Sequence, residues 1–344
     1  MSHRQNFCVS HLHCAMLKGT CRLRQDILKV IIFRFLNVHS YLSYCNIYLA
    51  LLEMKSREQG MFKNLNLDAL GFKASFYESV ELASLGGFEG IDLNVQEMMS
   101  LLEKKSAAEM NGILEEKGLR WGGWVLPIRL SGDKKDFQRG LERLPDIAEK
   151  ARELGCLRTY TWVIPFSDEL PFKENFSLHV ERVRAVADLL NEYNCRLGVE
   201  FIAPKTLRLG HKYEFIHDMR GMLDLLEAVG ADNVGLLLDS WHWYTSYGTI
   251  DQILGLKGKD VVYVHINDAP AGIPIDEQID NVRCLPGETG IIDITGFLKA
   301  LRKIGYDGPV TPEPFDKKLR EMPIREAVLK VSEAVNKVWH SAEL

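Results

Sequence analysis

Four side chains able to ligate a metal fall at the ends of four successive apolar runs. Leu197-Gly198-Val199-Glu200-Phe201-Ile202 carries a carboxylate inside an otherwise apolar stretch, and Gly235-Leu236-Leu237-Leu238-Asp239 ends on another. The run from Val261 to Asp268 carries His265, and Pro309-Val310-Thr311-Pro312-Glu313 finishes on Glu313. Taken singly each has a plain structural use: Glu200 could pair with an arginine, Asp239 could cap a helix, and His265 could be a hydrogen-bonded core histidine. Together they ask for more. Three carboxylates brought to one place repel each other and raise one another's pKa unless a cation neutralises them. Three carboxylates and one imidazole, with no cysteine in position, make a mostly hard site. It suits Mn²⁺ first, with Mg²⁺, Co²⁺ and Zn²⁺ compatible by ligand type. Such an ion keeps room for a carbonyl and its neighbouring hydroxyl, the geometry of a hydroxy-ketone, and would acidify the C–H between them.

The elements that must position these groups alternate from residue 61 onward between short apolar runs and longer amphipathic ones, the pattern of β-α units around a parallel sheet. Eight strands are predicted: Leu65 to Leu70, Gly90 to Asn94, Arg120 to Leu126, Arg158 to Ile164, Arg196 to Ala203, Val234 to Trp241, Asp260 to Asn267 and Gly308 to Pro312. Ser75 with Glu78 reads as a capping box, and Gly86-Gly87 as the end of that helix. Val180, Val183, Ala187 and Leu190 form one helical stripe beneath Glu181, Arg182 and Arg184, and Ile324, Ala327, Val328, Val331, Val335 and Val338 form another. Eight units point to an α/β fold, a (β/α)8 TIM barrel over residues 61–344, whose usual size is ~250 residues and whose chemistry sits where strands end. No GxGxxG or GxxxxGK[ST] follows a strand, so a dinucleotide or P-loop site is not expected.

Composition separates a head from this body. Of the 344 residues, the first 60 hold 8 Lys/Arg against 3 Asp/Glu, four of the seven cysteines and none of the twelve prolines; the remainder holds 34 Lys/Arg against 44 Asp/Glu. An acidic body is poorly suited to tracking phosphate backbones, so no nucleic-acid partner is expected. Lys29, Arg34 and His39 interrupt the apolar run of the head before it reaches the ~18 residues of a membrane span, and no signal-peptide cleavage site stands out, so no membrane partner is expected either. Cys8, His11, His13, Cys14 and Cys21 fit no paired zinc-ligand spacing. Residues 1–60 are read as a poorly ordered or loosely packed extension, with Met54 and Met61 as alternative starts. The three scattered cysteines of the body fit a reducing, cytoplasmic location.

The set Glu200, Asp239-Ser240-Trp241-His242, His265 and Glu313, with Arg283 followed by Pro286-Gly287-Glu288, resembles the sugar phosphate isomerase/epimerase superfamily of xylose isomerase-like barrels. That group includes ketose 3-epimerases, hydroxypyruvate isomerases and inosose dehydratases, and shares its fold with apurinic endonucleases. The likeness spans roughly residues 61–340. It implies that Glu200, Asp239, His265 and Glu313 bind the metal, that His242 and Arg283 touch substrate oxygens, and that Glu200 and Glu313 exchange protons on the two faces of a small sugar or keto-polyol. If both act, a stereocentre inverts; if one acts, the carbonyl migrates.

Two departures from the family pattern stand out. Thr206 occupies the position where ketose 3-epimerases usually show a further glutamate, and the loop Pro286-Gly287-Glu288-Thr289-Gly290 is one residue longer than the common turn. Lys205 and Arg208, just past the fifth strand, are candidates to recognise a substrate carboxylate or phosphate. Among the aromatic residues near strand ends, Trp124 and Trp241 are the candidates to pack on a sugar face. Dehydration is the first rival reaction, since it begins with the same proton abstraction. A multi-zinc phosphodiesterase acting on DNA fits poorly, because the body has only six histidines. A silent sugar-binding barrel is the remaining alternative. Assembly into a homo-oligomer is compatible with this reading, and sequence does not choose the number of subunits.

Overall fold

A computed structural model describes residues 60–344 of the chain. The expectations placed on residues 1–59, including the loose extension and the Cys/His cluster, lie outside the described residues. The strands are β1 (Phe62–Leu65), β2 (Gly90–Ile91), β3 (Arg120–Trp121), β4 (Trp124–Val125), β5 (Arg158–Val163), β6 (Phe166–Ser167), β7 (Arg196–Phe201), β8 (Tyr213–Glu214), β9 (Val234–Asp239), β10 (Val261–Ile266) and β11 (Pro309–Pro312). Nine of them pair in parallel in the order β3-β2-β1-β11-β10-β9-β7-β5-β4. The two ends of that order, β3 and β4, are pieces of a single predicted strand interrupted at Gly122-Gly123. Because β3 pairs with β2 and β4 with β5, the sheet closes on itself as an eight-stranded (β/α)8 barrel. Two short strands, β6 and β8, form a separate antiparallel pair.

The interruption has a steric reason. A Cβ at Gly122 would stand 2.2 Å from Asn64 Oδ1 and 2.6 Å from Asp92 Oδ1, and one at Gly123 would stand 2.8 Å from the Tyr263 ring. Polar side chains from β1 and β10 and from the end of β2 fill the space into which a third strand with side chains would project. Only glycine lets the backbone pass this close. The Gly123 N–H uses the proximity and donates to Asp92 Oδ1 at 2.9 Å.

The first predicted strand was misplaced. The barrel strand is Phe62–Leu65, and Leu67–Leu70 is a helical turn. Asn66 caps that turn by accepting from the Ala69 N–H, and Gly71 closes it with φ 86°. The cap and stop signals therefore outweighed the apolar run between them. The capping box at Ser75 and Glu78 and the terminating Gly87, with φ 64°, frame the helix Phe76–Gly86 as expected. Val183, Ala187 and Leu190 bury one face of the helix Phe172–Glu192, and Ala327, Val328, Val331 and Val335 bury one face of Ile324–Ser341. Arg182, expected on the exposed face, is buried instead, and its guanidinium donates to the carbonyls of Leu130 and Gly132 at 2.6 and 2.5 Å. Both bonds come from the same nitrogen, Nη1, which joins the two loop carbonyls.

Gly122→Ala should lower unfolding stability by about 1–3 kcal/mol through overpacking. Gly112→Ala, in a helix where an added Cβ meets nothing within 4 Å, should raise it by about 0.5–1 kcal/mol. Urea unfolding of the two variants checks both signs.

Candidate metal and catalytic site

Glu200 lies near the end of β7, Asp239 at the last residue of β9, His265 near the end of β10, and Glu313 just past β11. These four strands are neighbours in the sheet, so their ends meet at one side of the barrel mouth. His265 stands directly opposite Asp239 in the ladder, and the Glu313 N–H continues it by donating to the Ile266 carbonyl at 3.0 Å. Glu200, Asp239 and His265 are at most 6% exposed, and the Glu313 side chain is 15% exposed.

The ligand atoms form two overlapping sets, Glu200–Asp239–His242 and Asp239–His265–Glu313, each with its atoms within 4.8 Å of one another. His265 Nδ1 is 3.5 Å from Glu200 Oε1 and 3.6 Å from Glu313 Oε2. Glu200 Oε1 and both ring nitrogens of His265 are buried without a hydrogen-bond partner. Buried polar atoms are almost always satisfied, so these three orphaned atoms, with His265 Nδ1 standing 3.5 Å from Glu200 Oε1, match what a divalent cation would complete once the imidazole has lost a proton. The donor set of three carboxylates and an imidazole fits such an ion, and these residues could hold it.

His242 plays a different part. Its Nδ1 accepts from the Ala203 N–H at 3.2 Å, which places the remaining ring proton on Nε2. That Nε2–H faces Asp239 Oδ2 at 3.7 Å, Asp280 Oδ1 at 3.9 Å and Glu200 Oε1 at 4.0 Å. Burial lowers His242 to about 4, so the ring is neutral and serves as a donor.

Arg283 supplies the positive charge the carboxylates need among the protein's own groups. Its Nη1 donates to Asp239 Oδ2 at 2.7 Å and Glu313 Oε2 at 3.0 Å, and its Nη2 to Asp280 Oδ1 at 3.0 Å. The guanidinium is stacked between Trp241 and Phe315, 5.2 and 4.4 Å from their ring centroids. The loop that delivers it is tied down by Asp268, a fully buried carboxylate accepting from the N–H groups of Ala269, Thr289, Gly290 and Ile292.

The electrostatics follow from this packing. Burial above all, with Asp239 and Glu313 adding, pushes Glu200 up to about 8 against the pull of His265. Burial alone would lower His265, but Glu313, Glu200 and Asp239 outweigh it and raise it to about 9. Burial would raise Asp239 too, yet Arg283, His242 and His265 hold it below the usual carboxylate range. Burial raises Glu313.

Of the other predicted residues, Trp241 is buried behind Arg283. Trp124 is also fully buried, with its indole N–H donating to the Cys156 carbonyl at 3.1 Å, away from the convergent cluster. Lys205 and Arg208 sit on a four-residue helix and are paired with Asp276 at 2.7 Å and Glu214 at 2.9 Å.

Sequence reasoning gave no role to Asp92, which ends the β2 run. Its carboxylate accepts from Asn64 and Asn66 side-chain amides, Tyr160 and Tyr263 hydroxyls and the Gly123 N–H, all at 2.7–3.0 Å. The Tyr160 and Tyr263 rings stand edge-on to His265, with centroids 5.7 and 5.3 Å away. The signal was present as tyrosines in two core strands, whose hydroxyls require buried partners.

The chain belongs to the xylose isomerase-like TIM barrel family, whose model matches residues 80–334. Inosose isomerase of Bacillus velezensis is 24% identical over 271 residues, covering 76% of this chain and 91% of that protein. 3-Dehydroshikimate dehydratase of Pseudomonas aeruginosa is 25% identical over 72% of this chain and 37% of its own length. A xylose isomerase domain protein from Alicyclobacillus acidocaldarius superposes with a TM-score of 0.72 at 30% identity, over 83% of this chain and all of that one. The IOLI protein, solved with a zinc atom bound, superposes at 0.68 with 20% identity over 81% of this chain and 98% of its own. The curated relatives are enzymes: isomerases, epimerases and dehydratases. No helix among the described residues is long and apolar enough to cross a membrane.

A divalent cation entering this cluster must displace the protons held by Glu200 and His265, raised to about 8 and about 9. Metal affinity should therefore climb as pH rises toward 9, and uptake at neutral pH should release protons. Titration calorimetry in buffers of different ionisation heat reads both; metal uptake with no proton release would show that these two side chains are not its ligands.

Proposed function

We propose that this protein is a metal-dependent isomerase or epimerase that moves a proton next to the carbonyl of a sugar or keto-polyol. The observation that carries the reading is the trio of buried polar atoms without hydrogen-bond partners, Glu200 Oε1 and the two His265 nitrogens, in a cluster with Asp239 and Glu313. Glu200, Asp239, His265 and Glu313 would hold the ion. Three oxygen ligands favour Mn²⁺, while the zinc of the IOLI protein keeps Zn²⁺ in contention. When bound, a divalent cation would polarise a substrate carbonyl and acidify the adjacent C–H.

The chain's own groups account for the rest. Glu200, buried near the end of β7 among the convergent groups, would be the general base. Glu313 approaches the same histidine nitrogen from a different strand, so the two carboxylates can address opposite faces of a substrate between them. The Nε2–H of His242 and the Nη2 edge of Arg283, 3.5 Å apart, are positioned to donate to oxygen on which negative charge develops. Walls formed by Trp241 and Phe315 keep the guanidinium in place.

Dehydration is the second reading, favoured by the likeness to 3-dehydroshikimate dehydratase. It shares the proton abstraction and differs in the later loss of a β-hydroxyl.

Metal-loaded protein in D₂O, offered ketoses, keto-inositols and hydroxy-keto acids, should exchange one carbon-bound proton in one substrate class, and chelation should abolish it. Glu200→Gln should lower the exchange rate by about 10²–10⁴-fold, with metal content measured in parallel. Loss of 18 mass units, about one water, would select the dehydratase; stoichiometric metal without exchange anywhere on the panel would remove the enzymatic reading.

A further inference from the structure

A positive group already stands among the candidate ligands, and it belongs to the protein. Arg283 Nη1 donates to Asp239 Oδ2 at 2.7 Å and to Glu313 Oε2 at 3.0 Å, so one nitrogen joins carboxylates from two strands. The other oxygen of Asp239 is spoken for. Its Oδ1 accepts from the Trp241 N–H at 2.8 Å and from Asn267 Nδ2 at 2.9 Å, which uses both lone pairs. Asn267 is fully buried and bonded in turn to Ser240, so that end of the carboxylate is fixed. The oxygen left to a divalent cation is therefore the one the guanidinium holds. Two positive groups sharing a buried oxygen repel each other far more than they would in water.

The rest of the guanidinium is anchored elsewhere. Nε donates to the Asp280 carbonyl at 2.7 Å and Nη2 to Asp280 Oδ1 at 3.0 Å, both within the loop that carries Arg283 and independent of the strand ends. The Asp280 side chain is 22% exposed and that of Asp239 wholly buried, which puts this anchor on the solvent side. Trp241 and Phe315 lie against the guanidinium and confine it without hydrogen-bonding to it. Phe315 does so with φ 41°, a backbone region that is costly for a bulky residue and that is found where a side chain must be held in a set place. Such a slot leaves sliding between Asp239 and Asp280 as the available movement.

We infer that Arg283 is a resident counter-ion that gives way to the metal: without an ion its Nη1 neutralises Asp239 and Glu313, and on metal entry it withdraws toward Asp280, the positioning residue for the withdrawn state. The inference rests on the proposed reading of Glu200, Asp239, His265 and Glu313 as the ion's ligands. Guanidinium and ion then compete for the same carboxylate charge, so each weakens the other's hold by the same factor. Nη1 becomes a free donor only in the loaded protein, which ties recognition of a substrate oxygen to metal occupancy.

Calorimetric Mn²⁺ titration of the full chain, with urea unfolding in chelator and in Mn²⁺, tests this without turnover. Arg283→Gln should bind Mn²⁺ about tenfold more tightly than the unaltered protein. In chelator its urea midpoint should fall, because the carboxylates have lost their counter-ion, and saturating Mn²⁺ should restore it. Asp280→Asn should weaken Mn²⁺ binding about fivefold, and that loss should shrink to within about twofold in the Arg283→Gln background, where no guanidinium needs the withdrawn position. Equal or weaker Mn²⁺ binding by Arg283→Gln, or a full Asp280→Asn loss in its background, would overturn the inference and leave the metal site standing. An Arg283→Gln protein that is as stable as the unaltered one in chelator, or that stays unfolded in Mn²⁺, would overturn it too. No Mn²⁺ uptake by either protein would remove the metal site itself, and the inference with it.

Discussion

The mouth of this barrel is organised by the cost of packing negative charge where water is scarce. Glu200, Asp239 and Glu313 converge around His265 with Asp280 close by, and among the described residues Arg283 is the guanidinium set among them. Burial above all raises the proton affinity of Glu200, the surrounding carboxylates raise that of His265, and Glu200 Oε1 and both His265 nitrogens are left without hydrogen-bond partners. On the proposed function, the same cluster would receive a divalent cation, and Glu200 would be the group that takes the proton. Much of the surrounding structure keeps Arg283 in position. Its stacking rings, and the Asp268 carboxylate that gathers four backbone N–H groups of its loop, have no evident role apart from that placement.

A second, half-buried carboxylate is held by different means. Asp92 makes no salt bridge among the described residues; amide, hydroxyl and backbone donors surround it, and they and His265 only partly offset the burial that raises it. Neutral donors can support a buried carboxylate when there are enough of them with good geometry. Delivering them requires Asn64 and Tyr263 to lean into the barrel interior, and that in turn requires Gly122 and Gly123 to leave the third strand without side chains there. The mouth thus has one half governed by charge and another governed by hydrogen bonding, joined through the Tyr160 and Tyr263 rings against His265.

The relatives share the barrel while differing in what they do to their substrates, which is expected when chemistry sits on strand ends and specificity sits on the loops beyond them.

The eightfold alternation, the capping box at Ser75 and the convergent strand-end side chains Glu200, Asp239, His265 and Glu313 could all be read along the chain, because periodicity, capping and an ionisable group in an apolar run are local properties. The first strand was misread because Asn66 and Gly71 turn an apolar run into a helical turn, a competition between two local signals. Residue order alone could not place Trp124 in the packed core, pair Lys205 and Arg208 with distant acids, or bring Asp92 against Tyr160 and Tyr263. Those outcomes depend on which strands become neighbours when the barrel closes and on how far each backbone can approach another. Chain order therefore determined which chemistry the strand ends could supply, while tertiary closure decided which side chains share a space and so which charges are compensated.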